Sequence, residues 1–143
     1  MYGMLDISAS GMIAQRTRMD TITANIANQS VLLDANDQLN PYRRRAALFA
    51  VGNPGATTAQ GRKFGVHISK IDVDQSQPQP RVFDPNSPVA FKTGPFKGYV
   101  AETNVNSVVE NVNALDAMRA YEANVMAAEA TKQMMTSALR LIA

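Results

Sequence analysis

The chain has 143 residues, 45% hydrophobic and 18% charged, with no cysteine, no tryptophan and one histidine, His67. That length suits one domain, or one domain with a small insertion, and the missing cysteines exclude a disulfide framework, thiolate-bound zinc, iron–sulfur clusters and a cysteine nucleophile. The formal net charge of +2 divides into −2 over residues 1–40, +6 over 41–98 and −2 over 99–143, so the basic residues are spread through Pro/Gly-rich sequence rather than gathered on the single face that nucleic-acid binding needs.

Residues 4 to 30 hold no proline, and Gly11 is their only glycine. Leu5, Met12, Met19 and Ile26 repeat at a spacing of seven, and Ile22 adds a three-residue step, so the pattern predicts a helix with an apolar seam. Asp6 is its expected N-cap, and its length at 1.5 Å per residue is about 37 Å. The first basic residue is Arg16, and Asp6 breaks the apolar start. A cleavable secretory signal is therefore not expected, nor is direct membrane insertion. Residues 31–40 are readable either as an extension of this helix or as a loop.

All seven prolines and six of the eight glycines fall in residues 31–103. Turn signals such as Asn53-Pro54-Gly55, Gln77-Pro78-Gln79-Pro80 and Asp84-Pro85-Asn86 separate short runs that read as strands: 42–51, 64–73, 81–83 and 97–100. The Asn28-Gln29-Ser30 sequon sits at a helix end and carries no weight. Arg43-Arg44-Arg45 reads either as the charged start of an exposed strand or as a contact for acidic groups on a neighbouring subunit.

From 104 onward the chain has neither proline nor glycine. Val105, Val108, Val112, Leu115, Met118, Tyr121, Val125, Ala128, Met135, Leu139 and Ile142 recur at mostly helical steps. Ser107-x-x-Glu110 matches a capping box, and Asn104 is an alternative cap one turn earlier. This helix spans about 57 Å, more than the first can cover, and a pattern this long points to a coiled coil or shared bundle. The expected fold is mainly α with a small β insertion, divided as 1–33, 34–103 and 104–143, with the two terminal helices pairing as a coiled coil around a β-rich middle. Each Leu, Val or Met left unburied forgoes about 1.5–3 kcal/mol, so both helices are expected to meet other chains.

Catalytic patterns are absent. Gly55 to Lys63 lacks the spacing of a phosphate loop. Asp72 and Asp74 have no third ligand near them in sequence, and His67 reads as a strand-surface residue. No metal and no cofactor is expected.

Ser8-Ala9-Ser10-Gly11-Met12 with Ala14-Gln15, then Asn25-Ile26-Ala27-Asn28, resembles the N-terminal signature of the bacterial flagellar rod and hook axial proteins. Asn104-Val105-Asn106, Glu110, Arg119-Ala120-Tyr121-Glu122-Ala123-Asn124-Val125, Lys132 and Met134 resemble the closing signature of the proximal rod branch. Pro41-Tyr42-Arg43-Arg44 and the stretch from Val82-Phe83-Asp84-Pro85 to Gly98-Tyr99-Val100 are similar to it too. The run Gln29-Ser30-Val31-Leu32-Leu33 departs from the family pattern. The resemblance implies a non-enzymatic structural subunit of the periplasmic rod, which transmits torque. It also implies export through the flagellar type III apparatus, self-association in a helical assembly, and contacts with proximal and distal rod proteins and the membrane-ring adaptor. The rival reading from periodicity alone is a cytoplasmic helical adaptor with a β-rich insertion.

Overall fold

The two proline-free runs become the two long helices. The computed structural model describes residues 2–77 and 80–142, so Pro78 and Gln79 of the predicted turn at 77–80 lie outside the described residues. In chain order the elements are α1 (Tyr2–Ala27), β1 (Arg45–Val51), α2 (Ala59–Phe64), β2 (Val66–Val73) and α3 (Ser107–Ile142). At 1.5 Å per residue α1 is about 39 Å long and α3 about 54 Å. Between them sits one two-stranded antiparallel sheet.

Both predicted helix caps are corrected. Helix α1 already runs from Tyr2, so Asp6 lies inside it. Its carboxylate accepts from Thr57 Oγ1 at 3.0 Å and Thr58 N at 2.9 Å, which ties the start of α2 to α1. At α3 the cap is Asn106, whose Oδ1 accepts from Val108 N at 3.0 Å and Val109 N at 3.3 Å. Glu110 does not reach back to close a capping box, because its side chain is committed elsewhere, and Asn104 is likewise engaged with the middle of the chain.

Helix α1 stops at Ala27, and residues 31–40 form a returning loop. Leu33 bridges Leu39, Asn40 N donates to Leu32 O and Tyr42 N to Val31 O. The Asp34 carboxylate accepts from Asn36 N and Gln38 N inside the turn, an arrangement that Asp stabilises better than a helix interior would. Strand β1 begins at Arg45 rather than Tyr42. It pairs with β2 in the register Arg45↔Val73, Ala47↔Ile71 and Val51↔Val66, with a bulge between Leu48 and Phe49. Helix α2 was not expected from the sequence. It has six residues, too few to show a period, and Thr58 caps it by accepting from Gly61 N. The runs 81–83 and 97–100 make only the isolated bridges Phe83↔Tyr99 and Ala90↔Val100. Gly98 adopts φ +85, and a Cβ there would come 2.7 Å from the Phe83 ring, so glycine is required for that turn.

The α1–α3 register is fixed at two points. Asn124 lies against Gly11, and Glu110 against Asn25. The two positions are fourteen residues apart on each helix and run in opposite senses, so the helices are antiparallel. Extending this register brings Tyr2 level with about residue 133, and the last turns of α3 pass beyond the start of α1.

Little apolar volume is enclosed. Among the described residues the buried hydrophobic ones are Ala14, Ile22, Ala90, Ala101 and Ala117, and the largest fully buried side chains are Glu110 and Asn25. No helix among the described residues is long and apolar enough to cross a membrane.

Candidate functional site

Two features stand out: a buried polar junction joining α1, α3 and the strand entry, and the outward apolar faces of the helices. The junction is built on Asn25 in the last two turns of α1, at 0% exposure. Its Nδ2 donates to Arg45 O at 2.7 Å and to Glu110 Oε2 at 2.8 Å. Its Oδ1 accepts from Tyr42 Oη at 3.1 Å and Arg45 N at 2.9 Å. Two donors and two acceptors fill the capacity of a carboxamide. Arg44 Nε donates to Glu110 Oε1 at 2.7 Å, with the Arg44 side chain 27% exposed and that of Glu110 at 0%. Asn104 holds the same segment from the other side, accepting from Arg44 N at 2.6 Å and donating to Asp74 O at 3.2 Å. A buried carboxylate is tolerable only when paired and hydrogen-bonded, and here each Glu110 oxygen has its own donor. The arginine run is thereby divided: Arg44 serves this chain's own Glu110, Arg43 donates to Gln75 O, and Arg45 lies over the Tyr42 ring.

The remaining α1–α3 contact is made of small and polar residues. On α3, among the described side chains, the buried positions are Glu110, Ala117 and Thr131. Asn124 completes a strict spacing of seven with them, and Ala114, Tyr121, Ala128 and Met135 are half-buried beside this row. On α1 the buried positions include Gly11, Ala14, Thr21, Ile22 and Asn25. A Cβ on Gly11 would stand 2.7 Å from Asn124 Oδ1, so the glycine sets the closest approach of the helices despite its roughly 1 kcal/mol helix penalty. Gly11→Val is expected to lower stability by about 1–3 kcal/mol through overpacking, read as a lower urea midpoint. If Asn124→Ala relieves most of that loss, the contact is confirmed as the cause.

The predicted interface residues distribute unevenly. On α1, Ile22 is buried while Leu5, Met12, Met19 and Ile26 are half-buried. On α3, Val108, Val112, Leu115, Met118 and Leu139 have exposures of 69%, 53%, 55%, 50% and 67%. Tyr121, Val125 and Met135 are half-buried, and the side chain of Ile142 lies outside the described residues. Met4, Ile13, Met126, Met134 and Leu141 are exposed as well. The large apolar side chains of α3 thus stand mostly outside the in-chain seam.

The motif residues have local work. Ser10 Oγ donates to Ile7 O at 2.7 Å and accepts from Val66 N at 3.0 Å, pinning β2 to α1. Ser8 is buried and Ala9 half-buried; Ala27 is exposed, and Asn28 Nδ2 donates to Ala24 O as the helix ends. Arg119 and Glu122 are exposed, and Asn124 faces Gly11. Sequence reasoning missed the roles of Tyr42, Arg44, Asn104 and Glu110. The signal available was that Glu110, Ala117, Asn124 and Thr131 share one heptad position, which puts Glu110 on the face that packs inward.

The residues in and just after the sheet that invited chemical readings are engaged locally. Lys70 Nζ donates to Asp72 at 2.9 Å. The Ser76 amide and hydroxyl hold the Asp74 carboxyl below its ordinary value of 3.8. His67 Nδ1 meets Gly52 O. Asp6 is also held below 3.8, first by the Thr58 hydroxyl, then by the Thr57 hydroxyl and the Thr58 amide. A lowered folded-state value gives stability that is present above the unfolded value and lost as pH falls through the folded one. Docking of α2 on α1 should therefore loosen on acidification below 3.8. Amide exchange at Thr58 and Gly61 checks this, and Asp6→Asn should abolish the acid-dependent step.

Comparison with known proteins finds matches at both ends of the chain. Residues 5–31 match the family model described as flagella basal body rod protein, and residues 97–141 match the one described as flagellar basal body rod FlgEFG protein C-terminal. These matches define the chain as a flagellar basal-body rod protein. It is 36% identical to the flagellar basal-body rod protein FlgC of Borreliella burgdorferi over 99% of this chain and 97% of that one. It is 35% identical to FlgC of Bacillus subtilis, covering 98% and 97%, and 33% identical to FlgC of Escherichia coli O157:H7, covering 99% and 97%. The chain belongs to the FlgC family of flagellar basal-body rod proteins.

Proposed function

We propose that this chain is a proximal rod subunit that polymerises through its terminal helices into the periplasmic shaft carrying torque from motor to hook. The observation that carries this reading is the outward placement of Val108, Val112, Leu115 and Met118 on α3 beside an in-chain seam of small and polar residues. Apolar area of that extent is expensive to leave in water. Coiled-coil pairing of the apolar faces, with Leu5, Met12, Met19, Ile22 and Ile26 on α1 and Val108, Val112, Leu115, Met118, Tyr121, Val125, Met135, Leu139 and Ile142 on α3, completes burial between subunits. Residues 1–33 and 104–143 then act as assembly arms and 34–103 as the outer unit. A thin seam also leaves the arms loosely held in a dilute monomer, which suits passage through the type III export apparatus. Other rod proteins and the membrane-ring adaptor are the expected neighbours.

The subunit performs no catalysis in this reading. The cleft bordered by Tyr42, Phe91 and Phe96 has neither a carboxylate nor a histidine among its lining residues. Recovery of the chain in purified basal bodies tests the rod assignment; its absence there, with a cytosolic pool instead, favours the adaptor. Normal rods and normal swimming from Asp72→Ala, Asp74→Ala and His67→Ala chains are expected. Intact rods without swimming would revive an enzymatic reading.

A further inference from the structure

A groove of about 350 Å³ runs between α1, the start of β1 and the first turns of α3, bordered by Arg18, Ile22, Arg45, Ala46, Phe49 and Asn113. Its lining combines apolar Ile22, Ala46, Ala47 and Phe49 with polar Thr21 and Asn113, and its charges are all positive. Arg44 on the same wall is already paired with Glu110. Among the described residues Arg18 and Arg45 meet no carboxylate, since the ion pairs are Arg44–Glu110 and Lys70–Asp72. Elsewhere on α3, Glu122, Met126 and Glu129 stand on one exposed face at steps of four and three. This places an apolar side chain, 63% exposed, between two carboxylates about 10.5 Å apart along the helix. Among the described residues neither glutamate pairs with a basic residue.

We infer that the Glu122–Met126–Glu129 face of one copy docks into the Arg18/Arg45 groove of a second copy, Met126 meeting Ile22 and Phe49 and the two carboxylates meeting the two guanidinium groups. The inference rests on the assembly reading above and specifies which surfaces meet. The occupant comes from another molecule, because the groove is framed by this chain's own α3 at Asn113. Glu122 lies nine residues, about 13 Å, further along that same helix. Opposite charges at the margins of an apolar contact fix register and suppress wrong pairings. A contact between two different patches on identical subunits propagates head to tail and builds a filament when the rotation does not close.

The test is a charge exchange combined with cross-linking in a chain that has no native cysteine. Arg18→Glu/Arg45→Glu and, separately, Glu122→Arg/Glu129→Arg are expected to cut rod incorporation about tenfold while leaving the helical circular dichroism of the monomer unchanged. The chain carrying all four substitutions is expected to recover incorporation. Ala46→Cys and Met126→Cys, placed on separate chains and co-expressed, are expected to form an oxidised dimer in assembled rods. A four-fold variant as defective as the two double variants, or absence of the 46–126 dimer from otherwise normal rods, overturns the docking. Absence of the unaltered chain from rods instead overturns the assembly reading beneath it.

Discussion

Leu115→Asp is expected to give a chain that folds and does not assemble. Leu115 is 55% exposed on α3, so a carboxylate there meets water in the monomer, and the change in stability should stay within about 0.5 kcal/mol. In the proposed assembly the same position would lose the roughly 1.5–3 kcal/mol of a buried leucine. It would also carry a charge into an apolar contact, which costs several kcal/mol more unless paired. Repeated in every subunit, that penalty would remove the rod. Swimming should be lost while the circular dichroism and urea midpoint of the purified chain remain those of the unaltered protein. Met19→Asp should also abolish swimming, but with a loss of monomer stability, because Met19 is already half-buried within the chain. The contrast between the two separates a position used only in assembly from one that the chain also partly covers by itself.

Asn25→Ala acts in the opposite way, on the monomer itself. The truncation deletes four hydrogen bonds at once and leaves Arg45 N and O, Tyr42 Oη and Glu110 Oε2 without their partner. Stranding buried polar groups costs about 1–3 kcal/mol each before relaxation. Since Arg45 and Tyr42 border solvent, we expect a total near 3–5 kcal/mol, the range for breaking a buried charged network. Glu110→Gln should cost less, about 1–2 kcal/mol, because Arg44 is part-exposed and can hydrate once its carboxylate is gone. Urea unfolding ranks the two, and a Glu110→Gln loss as large as that of Asn25→Ala would show that the ion pair rather than the carboxamide holds the junction.

How much of this was readable from the sequence depends on length scale. The two long helices follow from proline-free periodic runs, and the two strands from short apolar runs between turn signals, though not their pairing. The seam between the helices did not follow, because the eye goes to Leu, Val and Met, whereas this chain places Gly11, Ala14, Ala117 and Asn124 inside and leaves Val112 and Leu115 outside. Periodicity marks an amphipathic face without saying whether that face meets its own chain or another. Glu110 was misread for a related reason: a serine three residues before a glutamate fits a capping box, but tertiary pairing with Asn25 and Arg44 outweighs a local bond worth about 1 kcal/mol. The junction joins residues 25, 44, 104 and 110, and no local pattern connects positions so far apart. Helix α2 escaped because one and a half turns around Gly61 show no period.

The most direct test asks whether the outer face of α3 is wet in the free chain and dry in the rod. A Val112→Cys chain supplies the only thiol, at a position 53% exposed and with little change in side-chain size. A maleimide should label it rapidly in the purified monomer and fail to label it in intact basal bodies, with labelling restored when the rods are dissociated. Equal labelling of monomer and rod would mean that this face never meets a neighbour, and the assembly role given to it would be wrong.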